Sequence, residues 1–203
     1  MKTKILLFLT FISLLSCSKD DSTTKKDPTF KLPPETQTGA NTFGVTINGK
    51  VYIPRDPTGI NIGGLQPKGM YLQGIDTGSY SYNEIVVVDG ASTVGFKIFI
   101  HLHNFVPVGN YNLSNSNFQN GIDSVLFNNI FFKIFNYNIK NYVYYGSVEN
   151  QSFLKITRRD NGIISGTFSG KFVRFDDSNE FIQITDGRFD INSLRYQMQL
   201  INK

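Results

Sequence analysis

The stretch SFLKITRRDNGIISGTFSGKF, residues 152–172, predicts a long β-hairpin and decides the fold class. From Ile164 to Phe172, apolar or small residues alternate with polar ones. This two-residue period is typical of a strand with one buried face. The turn falls at Asp160-Asn161-Gly162, which are residue types that hairpin turns favour. The stretch therefore predicts two antiparallel strands.

A second hairpin is predicted by FGVTINGKVYI, residues 43–53. Apolar residues alternate on both sides of Asn48-Gly49, a pair that suits a type I′ turn because both central residues take a positive φ. Pro54 and Pro57 follow and are expected to end the second strand, since proline cannot donate a ladder hydrogen bond.

The rest of the chain continues this pattern of short strands. Further strands are predicted in NEIVVVDG (83–90), VGFKIFIHLHNF (94–105), VPVGNYNL (106–113), NNIFFKIFNYNIKNYVYYG (128–146), EFIQITDG (180–187) and RFDINSLRYQMQLI (188–201). No stretch beyond the N-terminal leader has a helical period. The sequence therefore predicts an all-β fold, with a single antiparallel β-sandwich or flattened β-barrel domain.

Composition and charge restrict the classes of partner that the protein is expected to bind. The 203 residues are 40% hydrophobic and 14% aromatic, with no Trp, which is typical of a globular chain rich in strands. The formal net charge is +4, or +2 once Lys2 and Lys4 of the leader are set aside. No basic stripe is visible, so no nucleic-acid partner is expected.

Residues 1–16 read as a lipoprotein signal peptide that ends at the only cysteine. The apolar run from Ile5 to Leu15 is too short to span a bilayer. The sequence Leu14-Leu15-Ser16-Cys17 resembles the bacterial lipobox, in which the cysteine is acylated after cleavage. The expected group on Cys17 is a covalent lipid, and no other cofactor is expected. The alternative is an ordinary cleaved signal peptide, with Cys17 incidental.

The residues after the cysteine indicate where the protein is displayed. Lys19, Asp20 and Asp21 resemble the surface-export signal of Bacteroidota lipoproteins. This resemblance implies a lipid-anchored protein on the extracellular face of the outer membrane, with the membrane as a partner. The alternative is a charged, solvated tether and a domain on the periplasmic face.

The domain organisation follows from composition. Residues 17–40 are polar and contain several prolines, so they are predicted to form the lipidated cysteine and a disordered linker. Residues 41–203 are predicted to form the antiparallel β domain, which is large enough to fold without a disulfide.

Several motifs together resemble one family. They are the lipobox, LPPETQTGANTFGVTINGKVYIP (32–54), PVGNYNL (107–113), ISGTFSGKF (164–172) and ITDGRFDI (184–191). They resemble the small uncharacterised lipoproteins of Bacteroidota, of the Flavobacteria type, that are grouped as a domain of unknown function. The resemblance implies an envelope location and a β domain, and it brings no catalytic residues with it.

Two histidines are the weak candidates for a metal site. His101 and His103 stand two residues apart, so their rings point to the same side of a predicted strand. They share that side with Lys97, opposite the apolar residues, so the side is predicted to be an ordinary solvated face. A metal site would need a carboxylate from another strand, and none is assigned.

Catalytic motifs are not apparent. Most acidic residues fall at predicted turns, where Asp side chains bind nearby backbone groups. The sequence contains no Gly-x-Ser-x-Gly elbow and no phosphate-binding glycine loop. No catalytic residue is therefore predicted, although folding could still bring two carboxylates together for hydrolysis.

Tyrosines are the speculative ligand-binding residues. Tyr80 and Tyr82 fall in a predicted loop, and Tyr142 and Tyr144 in strands rich in Asn. An exposed tyrosine offers apolar area and a hydroxyl group, which suits a glycan or protein ligand. Core packing is the alternative role for these rings.

The sequence is compatible with three functions, each of which predicts a different structural feature. A non-catalytic binding module predicts exposed tyrosines clustered on one face or at one loop end. A structural envelope component without a small ligand predicts a broad apolar patch. A hydrolase predicts two carboxylates, or the histidine pair with a carboxylate, converging in a cleft. We favour the binding module.

Overall fold

The computed structural model describes residues 30–56, 69–76, 81–103, 107–119 and 127–192. Within these ranges there are ten strands and no helix. The strands are β1 Thr42–Ile47, β2 Lys50–Tyr52, β3 Met70–Asp76, β4 Ser81–Val88, β5 Lys97–His103, β6 Gly109–Asn112, β7 Asn129–Asn136, β8 Asn141–Asp160, β9 Ile163–Arg174 and β10 Phe181–Asn192.

The strands form one antiparallel sheet that curls into a half-barrel. The order across the sheet is β2-β1-β10-β9-β8-β7-β5-β4-β3, and β6 pairs with β8 outside this row. The all-β prediction is confirmed, and the half-barrel is consistent with a sandwich or a flattened barrel.

Both predicted hairpins have the expected turn geometry. Asn48 and Gly49 have φ angles of 48° and 80°, and Asn161 and Gly162 have φ angles of 47° and 73°. Two consecutive positive φ values match the right-handed twist of the flanking strands. These turns set the registers of the β1–β2 and β8–β9 pairs.

The inner face of the sheet carries the main hydrophobic core. Buried side chains from β1, β4, β5 and β7 to β10 meet there in one cluster. The ring centroids of Phe132 and Phe172 are 5.0 Å apart at 81°, an edge-to-face pair between β7 and β9. Each such ring contributes about 1.5–3 kcal/mol on burial. Aromatic burial therefore stabilises the half-barrel.

Strand β8 has different neighbours along its length. Residues 141–146 pair with β7, and residues 153–156 pair with β6. The register with β9 shifts between Ser147 and Ser152, and Asn150 has a φ of 61°. Such an irregularity bends a strand and re-aims its side chains. The shift marks where β8 passes from β7 to β6.

The linker prediction is corrected for residues 30–40, which pack against β1 and β10. The carboxylate of Asp190 on β10 accepts five hydrogen bonds of 2.7–3.0 Å. The donors are Thr36 Oγ1, the backbone N–H groups of Thr38, Gly39 and Ala40, and Ser165 Oγ. Burial alone would raise the pKa of Asp190, but these hydrogen bonds outweigh burial and lower the pKa below its ordinary value of 3.8.

Some predicted features lie outside the described residues. They are Cys17, Lys19, Asp20, Asp21, Tyr80 and the chain after Asn192. In the part of the chain that is described, no helix is both long enough and apolar enough to cross a membrane.

Candidate functional site

A groove of about 580 Å³ lies over the outer face of β6, β8 and β9, opposite the main core. We call it the β6 groove. Six outer-face residues line it: Asn110, Asn112, Phe153, Lys155, Thr167 and Ser169. Ligand sites are typically concave surfaces with a few convergent polar groups, so this groove is the first candidate.

Strand register explains why these six side chains meet. Directly paired residues in antiparallel strands point to the same face. Asn112 pairs with Phe153, and Phe153 pairs with Ser169, which gives one row across the three strands. The neighbouring row joins the remaining lining residues, Asn110, Lys155 and Thr167. The groove floor is thus two adjacent rows of side chains.

Two carboxylates at the groove edge lie near one arginine. Glu35, from residues 30–40, and Asp186, beside the register shift in β10, both line the groove. Arg188 Nη2 lies 3.9 Å from Glu35 Oε1 and 3.5 Å from Asp186 Oδ1. With Lys155 included, the charged groups of the groove sum to zero.

The groove's polar side chains are open to a ligand. Among the described residues, no hydrogen bond or ion pair engages the side chains of Asn110, Asn112, Lys155, Thr167 or Ser169. The ring of Phe153 is 46% exposed. Amide, hydroxyl and ammonium groups therefore surround an accessible apolar ring.

The tyrosines predicted to bind a ligand do not meet in one cleft. Tyr142 and Tyr144 are half-buried on the outer face of β8, and Lys133 Nζ lies 4.4 Å and 5.6 Å from their ring centroids. Tyr82 lies in β4, paired with His103 at the opposite end of the sheet, and its side chain is outside the described part. The two β8 rings therefore already make cation–π contacts with the ammonium group of Lys133.

The prediction of a solvated face at the two histidines is wrong for His101. Its side chain is 0% exposed, and Nε2 lies 2.6 Å from Glu84 Oε2, within hydrogen-bond distance. His103 is half-buried, and its backbone N–H donates to Asn128 Oδ1 at 2.8 Å. Among the described residues, no group of three or more His, Cys, Asp or Glu is arranged to hold a metal ion.

His101 belongs to a polar row that crosses four strands. Gln73, Glu84, His101 and Asn129 are consecutive partners on β3, β4, β5 and β7. Gln73 Nε2 donates to Glu84 Oε1, His101 Nδ1 lies 3.2 Å from Asn129 Oδ1, and Ser116 Oγ donates to the same oxygen at 3.0 Å. Glu84, His101 and Asn129 are buried, whereas Gln73 at the β3 end is exposed, and we call the whole set the buried polar row. Its members bind one another, as buried polar groups must.

An apolar layer beside this row explains why the outer face is buried here. Phe99 and Phe131 stack at 4.5 Å, and Val86 packs with them. Phe118, from residues 113–119, adds a ring 6.1 Å from Phe131. Gly146 leaves room for this segment, since a Cβ there would lie 2.6 Å from Phe118 Cζ. Single-strand periodicity did not reveal that this segment crosses the face.

One end of the sheet carries exposed aromatic side chains. The strand registers place the β1–β2 turn, the β7–β8 turn and the β9–β10 loop at this end. Tyr137 and Ile139 are exposed in the second of these, and Phe175 and Phe181 in or beside the third. We call it the aromatic end. A cleft of about 370 Å³ there is lined by residues that include Phe30, Tyr52, Phe96, Phe135 and Tyr137.

A tyrosine links the aromatic end to charged residues. Tyr145 Oη donates to Glu180 Oε1 at 2.6 Å, and Arg174 Nη1 donates to Glu180 Oε2 at 2.6 Å. Burial, followed by the hydrogen bond to Glu180, raises the pKa of Tyr145. Arg174 also pairs with Asp176. These groups stabilise the β9–β10 loop against β8.

Comparison with known proteins adds no assignment. No family model, no curated protein and no solved structure matches this chain.

Proposed function

We propose that the protein is a lipid-anchored, surface-displayed binding module without catalytic activity, and that its β6 groove binds a neutral glycan. The observation that carries the glycan assignment is the pair of side-chain rows around Phe153, whose polar groups have no partner among the described residues.

The chemistry of the groove supports a sugar ligand. A sugar ring has an apolar face that packs on an aromatic ring, as Phe153 offers, and hydroxyl groups that both donate and accept hydrogen bonds. The amides of Asn110 and Asn112 also donate and accept, as do the hydroxyls of Thr167 and Ser169. The zero net charge of the groove favours a neutral ligand over an acidic one.

The N-terminal sequence supports the location. Cys17 ends a lipobox-like sequence, and Lys19, Asp20 and Asp21 follow it directly. Stable anchoring requires more than one acyl chain, because each buried methylene contributes only about 0.8 kcal/mol. A lipobox implies two or three such chains.

The ligand assignment is tested with immobilised oligosaccharides. The purified lipoprotein is screened against neutral, acidic and amino-sugar oligosaccharides, and titrations of the best ligand then give its affinity. We expect a neutral oligosaccharide to bind, and Phe153→Ala to weaken the affinity about tenfold because the stacking area is lost. The matched control is Phe181→Ala, since Phe153 and Phe181 are 46% and 48% exposed but lie in different regions.

Two results would overturn the glycan assignment. One is the absence of binding to any sugar, and the other is equal affinity of wild type and Phe153→Ala. Cleavage of the bound sugar, lost in Asp186→Asn, would instead favour the hydrolase with carboxylates at the groove edge.

The location is tested by adding protease to intact cells. We expect wild type to be cut, and the variant with Ala at Lys19, Asp20 and Asp21 to be protected while still anchored. Cleavage of both proteins would contradict the role of these three residues. Protection of both would favour the periplasmic face.

A further inference from the structure

We propose that the aromatic end is a membrane-contact surface that rests on lipid headgroups, an inference that depends on the lipid anchor at Cys17 proposed above. The partner is a bilayer surface, and the contacting residues are those of the β7–β8 turn and the β9–β10 loop.

The described chain begins at this end. Phe30 begins the described chain and lines the cleft of the aromatic end with Tyr52 and Tyr137. Phe30 lies thirteen positions after Cys17 in the chain. Even a fully extended chain of that length spans at most about 45 Å. The tether therefore keeps Phe30, at the aromatic end, within about 45 Å of an acylated Cys17.

The distribution of exposed apolar side chains points to the same end. Among the described residues, the exposed large hydrophobic side chains are Val108, Tyr137, Ile139, Phe153, Phe175 and Phe181. Phe153 belongs to the β6 groove, and Val108 precedes β6. The other four all belong to the aromatic end. Tyr137 is 72% exposed, the largest fraction among them.

The polar neighbours of these side chains suit headgroups. Lys140 and Lys50 are exposed in or beside the two hairpin turns at this end. Lysine places its ammonium group at the headgroups while its methylenes follow apolar surface, and tyrosine is enriched at the same depth. Arg174 pairs with Asp176 and Glu180, which offsets part of the negative charge of this loop. Apolar tips flanked by lysine are typical of interfacial contact.

The absence of Trp from the chain allows a direct test. The lipoprotein carrying Tyr137→Trp or Ile139→Trp is reconstituted into phosphatidylcholine vesicles with brominated acyl chains, which quench Trp only on contact. Flotation of the vesicles first measures anchoring. The control is Phe153→Trp in the β6 groove, which has a comparably accessible ring but lies away from the aromatic end.

We expect all three variants to float, with emission blue-shifted and quenched at positions 137 and 139 but not at position 153. Floating protein with unquenched emission at 137 and 139 overturns the membrane contact and leaves the anchor standing; the aromatic end is then a surface for a protein partner. Protein that fails to float overturns the anchor and this inference together. Neither result depends on the glycan assignment.

Discussion

The two halves of the outer face of this sheet contain similar polar side chains, which are paired with one another in one half and exposed in the other. Across β3, β4, β5 and β7, the members of the buried polar row bind one another beside an apolar layer. Across β6, β8 and β9, the groove rows remain exposed and have no partners among the described residues. The first half is closed and contributes to stability, whereas the second is available to a ligand.

The bend in β8 separates these halves. Residues 113–119 cross the outer face at Gly146, before the register shift, and leave the face beyond it uncovered. The comparison therefore predicts that substitutions in the closed half reduce stability, whereas substitutions in the groove reduce binding.

The largest expected effect is that of His101→Ala. The substitution removes the imidazole that hydrogen-bonds to the buried Glu84 carboxyl group and leaves a cavity beside Phe131. We expect a loss of about 3 kcal/mol or more in the free energy of unfolding, measured in urea. The control is His103→Ala, whose half-buried side chain should cost less than about 1 kcal/mol. Equal losses of unfolding free energy in the two variants would contradict the stabilising role of the buried polar row.

Asp190→Asn tests a closed polar site on β10, the strand next to β9. An amide NH₂ would face donors that now bind the carboxylate, so we expect a loss of about 2 kcal/mol at neutral pH. Because the folded-state pKa is lowered, the carboxylate contributes stability above pH 3.8 and loses it as the pH falls through the folded value.

The pH profile separates this role from simple packing. Urea unfolding of wild type and Asp190→Asn is compared at neutral pH and below pH 3.8. We expect the two stabilities to converge at acid pH. A difference that stays constant with pH would contradict the contribution of the charge.

Gly146→Ala tests the segment that closes the first half. The added methyl group would lie 2.6 Å from Phe118 Cζ and 2.7 Å from Ser116 Cβ. We expect a loss of about 1–2 kcal/mol, measured by thermal unfolding. At Gly109 the nearest atom to an added Cβ is Tyr111 Oη at 3.4 Å, so Gly109→Ala is the control and should change little. Similar stabilities of the two variants would mean that the segment yields without cost.

The smallest effects on stability are expected in the groove. Asn112→Ala and Thr167→Ala remove side chains that bind no described residue, so stability should change by less than about 0.5 kcal/mol. Both should weaken glycan binding. If either variant unfolded at a midpoint as low as that of Gly146→Ala, the substituted side chain would contribute to stability and the comparison would fail there.

The sequence predicted the features that depend on local pattern. The two Asn-Gly hairpins and the apolar face from Phe96 to Leu102 were evident because turn residues and a two-residue period are local properties. The role of Asp190 was not evident, because its donors are 25 to 154 residues away in the chain. The burial of His101 was missed for a related reason, since a strand's own period does not reveal what crosses its second face.

The groove was missed because it depends on register. Asn112 and Ser169 are far apart in sequence and become neighbours of Phe153 only through two strand pairings. The available signal was the alternation of polar residues in NYN (110–112) and TFS (167–169), which indicates a polar face on each strand but does not indicate which strands pair.

The most direct test of the comparison is backbone NMR of the protein titrated with the best-binding oligosaccharide. The account predicts amide shift changes that cluster at residues 110–112, 153–155 and 167–169, with residues 84, 101 and 129 unchanged. Changes centred on the buried polar row or on residues 137–144, with the groove unaffected, would contradict it.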